Sequence, residues 1–96
     1  MEQHKFEIEA KRMRPAILRM ATHYTEDTDE AEDVVQDTLI TYWQKTPVFS
    51  DKDHEKAWLL TVTANRCRDV LRTRLRRGET ALDSIAELPD FEANPM

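Results

Sequence analysis

Residues 56–72 read KAWLLTVTANRCRDVLR and lie inside a segment that extends from Asp53 to Arg77. Apolar residues recur there at steps of three and four, which predicts one long amphipathic helix. The predicted buried stripe is Ala57, Leu60, Ala64, Cys67, Leu71 and Leu75. The same steps taken from Trp58 predict an opposite, displayed face of Thr61, Val62, Asn65, Asp69, Arg72 and Arg76.

The second half of this helix is basic. Its arginines are Arg66, Arg68, Arg72, Arg74, Arg76 and Arg77, against Asp69 alone. A helix that buries one side and shows guanidinium and amide groups on the other is typical of a nucleic-acid-binding surface. The alternative is a solvated helix whose arginines only keep the protein soluble.

Composition limits the size and class of the protein. A chain of 96 residues forms at most one domain with one modest core. The net charge of −5 argues against DNA, but the charges are segregated into an acidic block at 26–37, the basic block, and a second acidic block at 79–92. Such segregation indicates separate partners for separate surfaces.

Several classes are not expected. The single cysteine, Cys67, excludes an internal disulfide and fits a reducing cytoplasm. No apolar run approaches the roughly 20 residues of a membrane span, and no signal peptide is visible. Because one glycine, three scattered histidines and no nucleophile–base pair are present, we expect no enzyme activity, metal site or cofactor.

The N-terminal third is helical in pattern from Phe6 to Tyr24. Because Pro15 lacks a backbone donor, we expect a break or kink near Arg14 and a second helix with Pro15 in its first turn. A short loop then leads to a helix from Glu30 to about Lys45, for which Asp29 is the predicted N-cap.

The Glu30–Lys45 helix has two unlike faces. Ala31, Val35, Thr38, Leu39 and Tyr42 form the predicted buried face. The opposite face contains Asp33, Gln36, Asp37, Ile40 and Gln44, with Trp43 at its margin. An acidic face with an apolar residue at its centre indicates docking to a basic partner, although a lone exposed isoleucine is common.

The connector at 46–53 contains Phe49, which either caps the core or lines a pocket for a flat ligand. Asp53 is the predicted N-cap of the basic helix, and Gly78 is its predicted C-terminal cap. The remainder, 79–96, is predicted to be an acidic linker with one or two helical turns.

Taken together, residues 31–40 (AEDVVQDTLI), Trp43, Phe49 and residues 57–72 resemble region 2 of an extracytoplasmic-function (ECF) sigma factor. Residues 15–19 (PAILR) are similar to the preceding helix of that domain, so the resemblance covers about residues 6–77. It implies an all-α, compact bundle of three to four helices at 1–78, followed by the acidic linker at 79–96.

The resemblance also implies partners for the two faces in bacterial transcription initiation. The acidic helix would dock on the clamp helices of the largest subunit of RNA polymerase core through Asp33, Gln36, Asp37, Ile40 and Trp43. The basic helix and connector would hold a flipped non-template base of the minus-ten promoter DNA. The implied DNA-binding residues are Phe49, Ser50, Lys52, Trp58, Thr61, Asn65, Arg66, Arg68, Arg72 and Arg76. An anti-sigma factor is a further implied partner.

Two departures from the family accompany the resemblance. Ser50 and Asp51 follow Phe49 where the family often has a glycine, which leaves the preferred base open. Nothing in the sequence matches the family's second domain, region 4, so we expect a fragment or a truncated paralogue. The alternatives are an interaction module that binds polymerase or an anti-sigma protein without reading DNA, and a dimeric regulator of double-stranded DNA, for which no dimer seam is visible.

Overall fold

The computed structural model describes residues 2–80, 82–86 and 88. Four helices follow one another: α1 (Gln3–Thr25), α2 (Thr28–Lys45), α3 (Lys52–Arg76) and the short α4 (Leu82–Ala86). The first three pack against one another, and α4 packs on α3. The described part of the chain contains no strand, so the predicted all-α bundle is confirmed.

Helix α1 runs unbroken through Pro15, so the predicted break near Arg14 is wrong. Pro15 lies on the exposed side of the helix, as does Lys11, whose carbonyl loses its usual donor and can be solvated. Met13 and Ile17, on either side of the proline, are buried in the core. Tertiary packing therefore holds the helix together across the missing hydrogen bond.

The N-caps of α2 and α3 lie two residues before their predicted positions. Asp27, not Asp29, caps α2 by accepting from the Glu30 N–H at 2.9 Å. Asp51, not Asp53, caps α3 by accepting from the His54 N–H at 2.8 Å. Both segments contain two aspartates, and the earlier one is the cap in each. For α2 the reason is that Glu26, the left-handed C-cap of α1, lies directly before Asp27.

The core consists of two apolar clusters that follow one another along the bundle. The first contains Met13, Ile17, Val35, Tyr42, Trp58, Leu59 and Val62. The second contains Ala21, Ala31, Val34, Cys67, Leu71 and Leu88. Leu18 packs against both clusters and so joins them. The predicted buried face of α2 is confirmed, with Leu39 partly buried at its edge.

The predicted division of α3 into two faces is wrong in its first half. Trp58, Thr61 and Val62, assigned to the displayed face, are buried, whereas Ala57 is exposed. The largest side chains determine the packing, because the free energy of burial rises with apolar area. Only from Asn65 onward does this side of the helix open to solvent.

Helix α3 ends as predicted at its glycine. Gly78 has φ +73°, and its N–H donates to the Leu75 carbonyl at 3.0 Å, while the Glu79 N–H donates to the Arg74 carbonyl at 2.8 Å. This is a Schellman motif. The predicted helical turns in the tail correspond to α4, and the rest of the predicted linker lies largely outside the described residues.

Within the described residues, no helix combines the length and the apolarity needed to cross a membrane. Over the same part of the chain, no group of histidine, cysteine and carboxylate side chains could hold a metal ion.

Candidate functional site

The first candidate surface is the acidic face of α2, formed by Asp33, Gln36, Asp37, Ile40 and Trp43. All five side chains are exposed, as predicted. Ile40 is 48% and Trp43 41% exposed, which is unusual for large apolar residues on neighbouring helical turns. Among the described residues, neither Asp33 nor Asp37 forms a side-chain ion pair. Their charges are therefore available to a partner.

A groove of about 520 Å³ separates the start of α1 from α2, and we call it the α1–α2 groove. Trp43 stacks edge-on against Phe6, with ring centroids 5.0 Å apart, and Phe6 in turn contacts the core residue Tyr42. The groove is thus continuous with the acidic face. Its lining residues are Gln3, Phe6, Glu7, Gln36, Leu39, Ile40 and Trp43.

The second candidate surface begins in the connector between α2 and α3. Phe49 is partly buried, and its ring contacts those of Tyr42, His54 and Trp58, with centroid distances of 6.2, 5.3 and 5.8 Å. The Ser50 N–H donates to His54 Nδ1 at 3.1 Å. Phe49 therefore caps the first core cluster, and one of its two predicted roles is confirmed.

Phe49 also borders a pocket of about 320 Å³, here called the loop pocket. The pocket lies between the connector and α1 and includes Lys5, Glu9, Tyr42, Phe49, Lys52 and Glu55 in its lining. Asn65, which the resemblance implies as a DNA-binding residue together with Phe49, does not line it. Asn65 lies about 15 Å further along α3 than Glu55, the pocket residue nearest to it in α3, at about 1.5 Å per residue. The loop pocket is thus distinct from the surface around Asn65.

A network of charged groups forms the floor of the loop pocket. Arg12 donates to Glu9 Oε2 at 2.6 Å and also bonds to Glu55, while the Tyr42 hydroxyl donates to Glu55 Oε2 at 2.6 Å. Lys52 Nζ lies 3.2 Å from Glu9 Oε1. The network ties α1, α2 and the start of α3 together through buried carboxylates.

These contacts shift several pKa values. The hydrogen bond from Arg12, aided by Glu55 and Lys52, lowers the pKa of Glu9 to about 2 against the opposing effect of burial. Burial, followed by the hydrogen bond to Glu55, raises the pKa of Tyr42, which keeps the phenol protonated. Burial also raises the pKa of Cys67 to about 11, in agreement with its predicted structural role.

The third candidate surface is the basic face of α3, formed by Asn65, Arg68, Arg72 and Arg76. Asn65 Oδ1 accepts from Arg68 Nη1 at 3.0 Å, which fixes the orientation of the amide. Arg76 donates to the Thr73 hydroxyl at 3.1 Å. Arg72 is exposed and takes part in none of the ion pairs found among the described residues. These guanidiniums lie along one side of the helix at spacings of four residues.

Comparison with known proteins decides the family. A family model for sigma-70 region 2 matches residues 10–77. The chain belongs to the sigma-70 region 2 family. Two similar proteins from Mycobacterium tuberculosis are named ECF RNA polymerase sigma factors: SigL, 43% identical over 58 residues, and SigG, 31% identical over 81 residues. The ECF region 2 resemblance is therefore confirmed.

The match covers a minor part of these relatives. The SigL alignment includes 59% of this chain and 33% of SigL, and the SigG alignment includes 78% of this chain and 22% of SigG. No solved structure matches the chain.

In the folded domain, some of the predicted DNA-contacting residues are accessible to solvent and others are buried. Phe49, Ser50, Lys52, Asn65, Arg68, Arg72 and Arg76 are exposed or partly exposed. Trp58 and Thr61 are buried, so their predicted place on the displayed face is wrong. Trp58 fills the first core cluster, and the Thr61 hydroxyl donates to the Ala57 carbonyl at 2.8 Å.

Arg66 differs from the other arginines because it turns toward α2. Its Nη2 donates to the Thr41 hydroxyl at 3.3 Å, and its Nη1 lies 3.8 Å from Asp69 Oδ2. Arg74 likewise pairs with Glu30 of α2 at 2.9 Å. These two arginines hold α3 against α2, so the basic face open to solvent is smaller than the sequence predicts.

Sequence reasoning missed Glu9 and Glu55 as a structural pair and Gln3 and Glu7 as neighbours of the acidic face. One signal was available for the carboxylates, since Glu9, Met13 and Ile17 follow each other at steps of four on the buried side of α1. No sequence signal linked Gln3 or Glu7 to α2, because that proximity depends on how α1 crosses α2.

Proposed function

We propose that this chain is the promoter-recognition module of an ECF sigma factor in bacterial transcription initiation. It would bind RNA polymerase core through the acidic face and capture a flipped non-template base of the minus-ten element beside the basic face. One observation supports this most strongly: the two faces lie on different helices, and among the described residues no ion pair joins Asp33 or Asp37 of the acidic face to Arg72 or Arg76 of the basic face.

Polymerase docking is supported by the chemistry of the acidic face. Among the described residues, Asp33 and Asp37 form no ion pair, and Ile40 and Trp43 offer apolar area beside them. Complementary charge speeds the encounter with a basic surface and fixes its register, whereas buried apolar contacts contribute most of the affinity. A basic pair of helices, such as the polymerase clamp helices of the family, fits both requirements.

Base capture is supported by two oriented side chains and two exposed arginines. Phe49 is held by three rings and offers a flat wall for the captured base, while Asn65, which lies outside the loop pocket and further along α3, presents an amide oriented by Arg68 to the adjoining single strand. Arg72 and Arg76 are placed to contact phosphates. Base flipping costs a few kcal/mol, and stacking on a side chain returns about 1–3 kcal/mol per base. We assign Trp58 a supporting role behind Phe49 rather than DNA contact.

The DNA part of the proposal is tested with purified core polymerase and a panel of single-stranded minus-ten oligonucleotides. Asn65→Ala should reduce the preference among sequences, because it removes a base contact. Arg72→Ala should weaken binding to all sequences alike and lower the salt slope by about one, because it removes a phosphate contact. Lys11→Ala, which removes an exposed cation from α1, is the matched control and should change neither quantity.

The polymerase part is tested by reversing charge on the acidic face. Asp33→Lys with Asp37→Lys should weaken binding to core polymerase by about tenfold or more, equivalent to about 1.4 kcal/mol. Asp29→Lys reverses an exposed charge in the first turn of the same helix and should have little effect. Normal polymerase binding together with unchanged oligonucleotide binding in the Asn65 and Arg72 variants would instead favour an interaction module that does not read DNA.

A further inference from the structure

The α1–α2 groove joins the acidic face of α2 to a part of the molecule that no sequence pattern connects with it. Gln3, Phe6 and Glu7, from the first turns of α1, form one side of the groove. Ile40 and Trp43 form the other side, and both are more than two-fifths exposed. An exposed apolar patch of this kind on a small domain is typical of a surface that contacts a partner.

The aromatic contacts hold the groove open as a preformed site. Phe6 lies 5.6 Å from the Tyr42 ring and 5.0 Å from the Trp43 ring, so it links the core to the rim. Leu39 is partly buried and packs against the first core cluster. Because Phe6 and Leu39 both pack against the first core cluster, the groove needs little reorganisation to accept a side chain. This reduces the free-energy cost of binding.

The charge around the groove selects the occupant. Glu7 borders it on α1, and Asp37 lies next to the lining residue Gln36 on α2. Among the described residues, no lysine or arginine lines it. A second copy of the chain, docked face to face, would bring these carboxylates against their own copies, which is unfavourable. A basic surface with an apolar side chain at its centre complements both the charge and the shape.

We propose that the α1–α2 groove receives an apolar side chain from a basic α-helix of the polymerase clamp, so that the start of α1 belongs to the docking interface. This inference rests on the proposed function and extends it to Gln3, Phe6 and Glu7. An amphipathic helix laid into an apolar groove places its anchors at spacings of three and four residues. One such anchor fits between Phe6 and Ile40, while basic residues on either side reach Glu7 and Asp37.

The test fills the groove without altering the core. Gln3→Trp places a large side chain at the exposed edge of the groove and should weaken binding of the full chain to purified core polymerase by about tenfold, or 1.4 kcal/mol. Ile8→Trp is the matched control, because Ile8 is exposed on the same helix and does not line the groove. Circular dichroism and urea unfolding of both variants verify that the fold is unchanged.

Charge reversal gives an independent second readout. Glu7→Lys should slow association with core polymerase, whereas Glu2→Lys, at the N-cap of α1 and outside the groove lining, should do so far less. A photo-crosslinking residue at position 3 should form its adduct with a basic helix of the largest polymerase subunit. An adduct elsewhere, or wild-type or tighter binding by Gln3→Trp, overturns the inference.

Two outcomes separate this inference from the proposed function. If Asp37→Lys weakens polymerase binding and Gln3→Trp does not, docking on α2 stands and the groove contact is wrong. If neither variant nor the wild-type chain shows polymerase binding, the proposed function fails and the groove inference fails with it. Self-association of the chain that Gln3→Trp abolishes would assign the groove to a second copy and would also refute the proposal.

Discussion

Glu9 shows how one side chain connects the loop pocket to the stability of the bundle. Its carboxylate is buried, yet it stays ionised because Arg12 and Lys52 lie 2.6 and 3.2 Å from its two oxygens. Such a group is stabilising only while it is charged. Its protonation equilibrium therefore links the packing of α1 on α3 to pH.

The resulting prediction concerns acid stability. The pKa of Glu9 is lowered from 4.5 to about 2 in the folded protein, so the unfolded chain binds more protons between these values. The free energy of unfolding should therefore fall as pH falls from 4.5 towards 2. Glu9→Gln should lower stability at neutral pH and flatten this dependence, as measured by urea unfolding over a pH series.

The control for this prediction is Glu7→Gln, which changes an exposed carboxylate on the same helix. It should retain the pH dependence of the wild type. If the free energy of unfolding fell with pH in the same way for the wild type and Glu9→Gln between pH 4.5 and 2, Glu9 would not be the source of the pH dependence.

At the scale of single residues, the sequence predicts exposure well where chemistry and periodicity agree. Asp33, Asp37, Arg72 and Arg76 are charged, and each is exposed as expected. Periodicity places Trp58 on the wrong side of α3, because an apolar stripe that starts at Ala57 turns Trp58 away from the core. An alanine contributes little to burial, whereas a tryptophan contributes about 150–250 Å² of contact area and so decides which side faces the core.

At the scale of elements, helix types and most ends follow from local chemistry, while the positions of the N-caps do not. Asp27 and Asp29, or Asp51 and Asp53, are equivalent as caps by residue type. Only the backbone conformation selects between them, and that depends on where the preceding element stops. Gly78 presents no such ambiguity, because it is the only glycine and lies directly after the last helical turn.

Gly78 provides a graded prediction for the end of α3. At φ +73° an L-residue is strained, although an added Cβ would meet no atom within 4 Å. Gly78→Ala should therefore destabilise the domain by about 1–2 kcal/mol through conformational strain alone. Gly78→Asn should cost less, because asparagine tolerates the left-handed region. Thermal unfolding should find the wild type the most stable, Gly78→Asn intermediate and Gly78→Ala the least stable. Equal stability of all three proteins would contradict this account of the cap.

At the scale of the whole molecule, the acidic face, the Phe49 connector and the basic face are placed by one shared core. The first cluster supports Phe49 and Tyr42, and the second supports the part of α3 that carries the arginines. Sequence periodicity predicts that such a core exists. It does not predict that Arg66 and Arg74 turn toward α2, because those contacts require the packing of two helices to be known.

The second cluster also extends past the end of the family match at residue 77, because it contains Leu88. Leu88 is buried among residues of α1, α2 and α3, and Ile85 packs beside it. Leu88→Ala should therefore lower the free energy of unfolding by about 2–5 kcal/mol, the usual range for a buried leucine that leaves a cavity. Leu82→Ala, in the same segment but 66% exposed, should cost less than about 0.5 kcal/mol. Urea unfolding of both variants separates two structures for this segment: a large effect at Leu88 alone means that it is a part of the folded domain, and equal small effects mean that it is only a linker.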